Sequence, residues 1–182
     1  MINFPKLSPS LRPILNRSVI IGSALLCLML SLTRLPGTEL LGIGPNWVLI
    51  WVVVWSFKRS VFESVVVGFA LGLIQDGLTS GYPSHVISLV IAAFFTARVY
   101  QRQRKDSLIA VILIVFGMAI LAQMSLAVQY SMEGLRPLLD IWMDYHRVAL
   151  SSAILSSLWT PVFYYPLKNW YAQSKSPGRK RY

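Results

Sequence analysis

The chain has 182 residues, of which 55% are hydrophobic and only 13% charged, yet its formal net charge is +10. A soluble domain carries about 25% charged residues and a disordered segment is poor in hydrophobic ones, so both classes are excluded. The single cysteine, Cys27, excludes a disulfide framework or a cysteine-built zinc site, and what remains is an all-α integral membrane protein of one domain whose positive charge lies outside the hydrocarbon.

A membrane-spanning helix needs about 20 mostly apolar residues, and six stretches are predicted to be spans. A basic segment, residues 1–17, precedes the first, Ser18 to Leu35, which Pro36-Gly37 ends. This start resembles a signal peptide, but no small-x-small cleavage site comes after it and the stretch is expected to be retained. The second span runs from Leu40 to Phe57. Pro45 breaks the helix near its start, and Asn46 is placed to cap the helix that begins after it. Trp47, Trp51 and Trp55 form a stripe at a spacing of four. Trp47 and Trp55 suit the aromatic belt at a bilayer boundary; Trp51, near mid-depth, suits helix packing better than a docking face.

The third span, Val61 to Gln75, opens on a capping-box pattern, Ser60 to Glu63, with Arg59 four residues before the acid. Ser64, Gly68 and Gly72 recur every four residues, so they share one helix face and allow another backbone to approach closely. The turn dipeptide Asp76-Gly77 is expected to end this helix. Asp76 has two readings. It is a loop acid, or it makes an ion pair or hydrogen bond that fixes the outer loop or a partner, with Arg34, Arg136 or Arg147 as candidates.

The fourth span runs from Tyr82 to Ala97, with His85 as a capping or loop residue near its start. Spans three and four are short, about 15–16 residues, and a re-entrant hairpin is the alternative to two full crossings. The fifth, Ser107 to Val128, has Asp106 before it as an N-cap, and Gln123 is its one strongly polar mid-span side chain, read as helix glue. After Pro137, Leu138 to Tyr145 is predicted to be a short interfacial helix within an outer segment of about 130–147. Asp140, Asp144 and His146 could be drawn as a metal site, but nothing closes it. The sixth span, Val148 to Leu167, contains Pro161 and Pro166 and completes a transmembrane domain of residues 18–167. In the basic tail, residues 168–182, Lys168, Trp170 and Tyr171 are interface anchors, and Lys175, Arg179, Lys180 and Arg181 come after them.

Charge orients the chain. With both termini in the cytoplasm, 14 of the 17 Lys and Arg fall inside, among them Lys58, Arg59, Arg98, Arg102, Arg104 and Lys105. Five of the seven acids fall outside, leaving +12 on the inner side and −2 on the outer. The positive-inside rule therefore favours this orientation, and an even number of spans with it. The basic clusters should attract anionic lipid head groups; nucleic acid is not needed to explain them.

No G-x-S-x-G, H-E-x-x-H, P-loop or dinucleotide fingerprint occurs. The order Gly44-Pro45-Asn46, an apolar run, then Lys58-Arg59 before a Gly-rich span resembles the rod shape-determining MreD family. So does Gly68-x-x-x-Gly72-Leu73-Ile74-x-Asp76 with its small-residue loop through Gly81. The resemblance implies a non-enzymatic, cofactor-free scaffold of the cell-elongation machinery in the inner membrane. It also implies an MreC-type single-span periplasmic partner, with MreB, RodA and a transpeptidase acting directly or indirectly. In fold the family resembles the six-helix substrate-binding subunits of vitamin transporters. Their Ala-x-x-x-Ala motif on the first helix is missing here, since Leu28 stands four residues after Ala24.

Two other functions fit parts of the pattern. A small-molecule transporter subunit would use an outward cavity lined by Trp47, Asp76, His85 and Gln123. An enzyme acting on lipid-linked sugars would use Asp140, Asp144 and His146.

Overall fold

The structure, a computed structural model, describes residues 11–33, 37–40, 42–57, 59–79, 83–103, 107–132 and 138–175. Among them are six helices: α1 (Leu11–Leu32), α2 (Trp47–Ser56), α3 (Val61–Leu78), α4 (His85–Gln103), α5 (Leu108–Met132) and α6 (Leu138–Lys175). Four segments are long and apolar enough to cross a membrane: Ile14–Leu32, Val61–Leu78, Leu108–Met132 and Tyr145–Asn169. At 19 residues α4 has the length of a span. Arg98 and Arg102 in its later turns make it less apolar than those four.

Helix α2 departs most from expectation. It has ten residues and so rises about 15 Å, half the thickness of a bilayer's hydrocarbon. All of its residues but Trp55 are buried. A helix that is apolar all round belongs in a core, and α2 packs against every other helix in the chain. Its depth is fixed by a hydrogen bond from the Asn46 backbone N–H to Ser156 Oγ, at 3.0 Å. Ser156 lies near the middle of the apolar segment Tyr145–Asn169, so α2 begins level with the middle of that segment.

Before Asn46 the described residues of that span are not helical, in line with the break read at Pro45. Pro45 has no N–H to give and disfavours helix in the residue before it. Gly42 takes a left-handed φ of +78° in a tight turn where Leu40 and Ile43 exchange backbone hydrogen bonds of 2.9 and 3.0 Å.

Small residues set the close contacts. A Cβ added at Gly72 would lie 2.5 Å from Val86 Cα, and one at Gly68 would lie 2.9 Å from the Leu89 carbonyl oxygen. The Ser64–Gly68–Gly72 face is therefore taken up by α4 within the chain. Helices α5 and α6 also pack against each other, and small or branched residues are buried on both: Val111, Val115, Ala119 and Ala122 on α5, and Ala149, Ala153 and Ser156 on α6. Lipid offers no hydrophobic drive between helices, so such close backbone packing supplies the dispersion energy instead.

Two boundaries also move. Helix α3 runs on through Asp76-Gly77 to Leu78, and α4 continues to Gln103, so neither is as short as the sequence suggests. Leu138–Tyr145 is not a separate helix; it forms the first turns of α6, a continuous 38-residue helix about 57 Å long. Pro161 and Pro166 sit inside α6 without ending it.

Candidate functional site

Several of the described polar side chains tie one helix to another. Asp76, in the last turn of α3, is the hub of one such tie. Its Oδ1 accepts the backbone N–H of His85 at 2.7 Å and lies 2.9 Å from His85 Nδ1. Its Oδ2 accepts the Ser84 hydroxyl at 2.8 Å. The first N–H groups of a helix have no partner within it, so an acid on α3 caps the start of α4. Among the described residues Asp76 thus acts through hydrogen bonds to Ser84 and His85. Arg147 is exposed on α6, and Arg34 and Arg136 lie outside the described residues.

Gln129 of α5 extends the tie to a third helix. Its Oε1 accepts the Ser84 N–H at 2.8 Å, and its Nε2 donates to the Ser84 carbonyl at 3.1 Å. Sequence reasoning singles out Gln123 and misses Gln129 and Ser84. A signal exists, since Gln129 is near the end of its helix, where the chain returns to the level of the α3–α4 loop.

The second constellation surrounds α2. Asn46 caps it, its Oδ1 accepting the Leu49 N–H at 3.1 Å. Pro45, just before the cap, is buried. Trp47 is not a belt residue: it is buried, with its ring edge-on to Trp159 at 5.3 Å and near Phe163 at 6.0 Å. Trp51 is buried and donates its indole N–H to Ser23 of α1 at 2.9 Å. The Trp55 ring stacks on Trp51 at 5.8 Å and carries the Arg59 guanidinium 5.0 Å from its centroid.

At the start of α3 the Ser60 hydroxyl accepts the Glu63 N–H at 3.2 Å, and Arg59 lies 3.9 Å from Glu63. Arg98 and Arg102 are exposed near the end of α4. Lys58, Arg104, Lys105, Arg179, Lys180 and Arg181 fall outside the described residues, as do the side chains of Lys175, Asp140 and Asp144. No group of three or more His, Cys, Asp or Glu able to hold a metal occurs among the described residues.

A cavity of about 260 Å³ opens between the end of α1 and the segment leading to α2. Ser31, Thr33, Thr38, Glu39 and Trp47 contribute to its wall, together with backbone around Gly42 to Pro45. Of the four residues expected to line an outward cavity, Trp47 does so. Asp76, His85 and Gln123 do not.

A family model described as rod shape-determining protein MreD matches residues 12–171. No curated protein and no solved structure matches the chain.

Proposed function

The chain belongs to the MreD family of rod shape-determining proteins, and from that membership we propose that it is a non-enzymatic scaffold of the cell-elongation machinery. In this reading it binds an MreC-type single-span periplasmic protein. It acts with MreB, RodA and a transpeptidase, directly or indirectly, in lateral peptidoglycan synthesis. The observation that carries the proposal is the match over residues 12–171. The internal use of polar groups supports it: Asp76, Gln129, Asn46 and Trp51 all tie helices to one another.

In this reading both termini lie in the cytoplasm. The helices run alternately up and down, so Arg59, Arg98 and Arg102 gather at one end of the bundle, where Phe57 meets Tyr100 at 4.7 Å. Asp76 lies at the other end, where α3 ends and α4 begins. The positive-inside rule puts the arginine end in the cytoplasm, where Lys58, Arg104, Lys105 and the tail lysines and arginines add to its attraction for anionic lipids.

Partner helices must meet the faces that point away from the bundle. Gly68, Gly72 and Trp51 are occupied within the chain, whereas Phe69, Leu113 and Leu158 are exposed on α3, α5 and α6. Photo-crosslinkers at these three positions test the proposal in living cells. Capture of a single-span periplasmic protein from at least one face, with loss of rod shape on depletion, is expected. No such capture from any of them, with normal shape on depletion, would overturn it.

A further inference from the structure

Two prolines lie inside α6, and their surroundings differ. Pro161 stands between Trp159 and Phe163, which both pack on Trp47 of α2. Thr160, just before it, and Tyr164, one turn on, are buried. A bend at Pro161 would pull these side chains from the core, so the bundle holds that turn. Pro166 has no such enclosure. It is exposed, as are Val162, Tyr165 and Asn169 around it, and Tyr164 is the last buried residue described in α6.

Pro166 also weakens its own turn. It has no N–H for the Val162 carbonyl, and its ring crowds that carbonyl. Proline is the usual cause of a sharp bend in a helix. Helix α6 nevertheless runs on to Lys175. A helical arm, residues 167–175, about 13 Å long, therefore leaves the bundle past a weak turn.

The arm has a reason to tilt. The apolar segment of α6 ends at Asn169, so a straight arm carries Lys175 about 9 Å past that end. Trp170 and Tyr171 favour the level of the lipid head groups, and Lys168 and Lys175 are the charges that an anionic surface attracts. One contact spans the weak turn: Lys168 Nζ lies 5.1 Å from the centre of the Tyr164 ring. An aromatic face holds an exposed ammonium only weakly, so phosphate at the surface competes for the same cation.

We propose that Pro166 is a hinge and that the arm 167–175 tilts onto a bilayer surface rich in anionic lipid, with Lys168 exchanging the Tyr164 ring for lipid phosphate. The protein thereby responds to the charge of the leaflet at its basic end. The orientation proposed above makes that leaflet the inner one. The hinge does not depend on it, and nanodiscs expose both surfaces.

Distances between two nitroxide labels on full-length protein in nanodiscs test the proposal. Ile109→Cys, exposed at the start of α5, marks the bundle and Ser174→Cys marks the arm. Native Cys27, only 1% exposed, stays unlabelled. Nanodiscs of phosphatidylcholine are compared with nanodiscs rich in phosphatidylglycerol. A tilt of about 30° moves the end of such an arm by about 7 Å, and a shift of that size is expected in the anionic discs. Pro166→Ala restores the N–H and should give one distance in both lipids. Lys168→Gln should shift less than the wild type.

The same wild-type distance in both lipids would overturn the proposal. A shift that survives Pro166→Ala would overturn the hinge, and an undiminished shift in Lys168→Gln would overturn the exchange at Tyr164.

Discussion

One carboxylate oxygen of Asp76 sits between two nitrogens of His85, 2.7 Å from the backbone nitrogen and 2.9 Å from Nδ1. The end of one helix thereby holds the start of the next. Asp76→Ala removes the acceptor for both Ser84 and His85. It should cost about 0.5–2 kcal/mol, the range for loss of a helix cap. Asp76→Asn keeps one acceptor oxygen and should cost less. Thermal unfolding in detergent should rank the proteins wild type, Asp76→Asn, Asp76→Ala, and limited proteolysis should show the α3–α4 loop cut fastest in Asp76→Ala.

Gln129 binds both polar groups of the Ser84 peptide. Gln129→Leu leaves a part-buried N–H and carbonyl without that partner, a cost of about 1–3 kcal/mol. Because Asp76 holds the same residue through its hydroxyl, the two losses should not add. In a double-mutant cycle with Asp76→Ala, a coupling of about 0.5 kcal/mol or more is expected; strict additivity would show that the two contacts act separately.

The three glycines of α3 should respond in a definite order. Gly72→Ala places its Cβ against backbone of α4, where no side-chain rotation relieves it, and overpacking of this kind costs about 1–3 kcal/mol. Gly68→Ala meets the Leu89 carbonyl and the Ala93 methyl at slightly longer range and should cost less. Gly77→Ala meets nothing within 4 Å and should gain about 0.5–1 kcal/mol from helix propensity. Melting temperatures of the three variants in one detergent check the order.

The indole of Trp51 links α2 to α1 through Ser23, whose hydroxyl also donates to the Ile20 carbonyl at 2.9 Å. Trp51→Phe and Ser23→Ala each remove that hydrogen bond. Their double-mutant cycle should return a coupling of about 0.5–1.5 kcal/mol. Intrinsic fluorescence of the Ser23→Ala protein should also shift, since Trp51 loses its hydrogen-bond acceptor.

Features written within a few residues of each other are legible in the sequence. The Ser60–Glu63 cap, the Asn46 cap and the Ser64–Gly68–Gly72 face all depend on local spacing, and the structure has each of them. Features that depend on distant chain are not. Asp76-Gly77 reads locally as a helix stop, but the helix runs on to Leu78 and its carboxylate holds Ser84 and His85. Trp47 reads locally as a boundary-belt residue, but Trp159 and Phe163, more than a hundred residues later, pack against it. Gln123 and Gln129 are alike to any local reading, and only the position of Ser84 separates them.

The central place of α2 has a consequence for how the protein is made. Synthesis delivers this helix second, while four of the helices that cover it, α3, α4, α5 and α6, are still to come. Trp47 waits for Trp159 and Phe163, and the N–H of Asn46 waits for Ser156. A nascent chain that stops short of α6 therefore has no finished site for its own second helix. Assembly of this bundle is completed from its last segment backward, and quality control of a truncated product has an uncovered tryptophan and an unpaired amide to recognise.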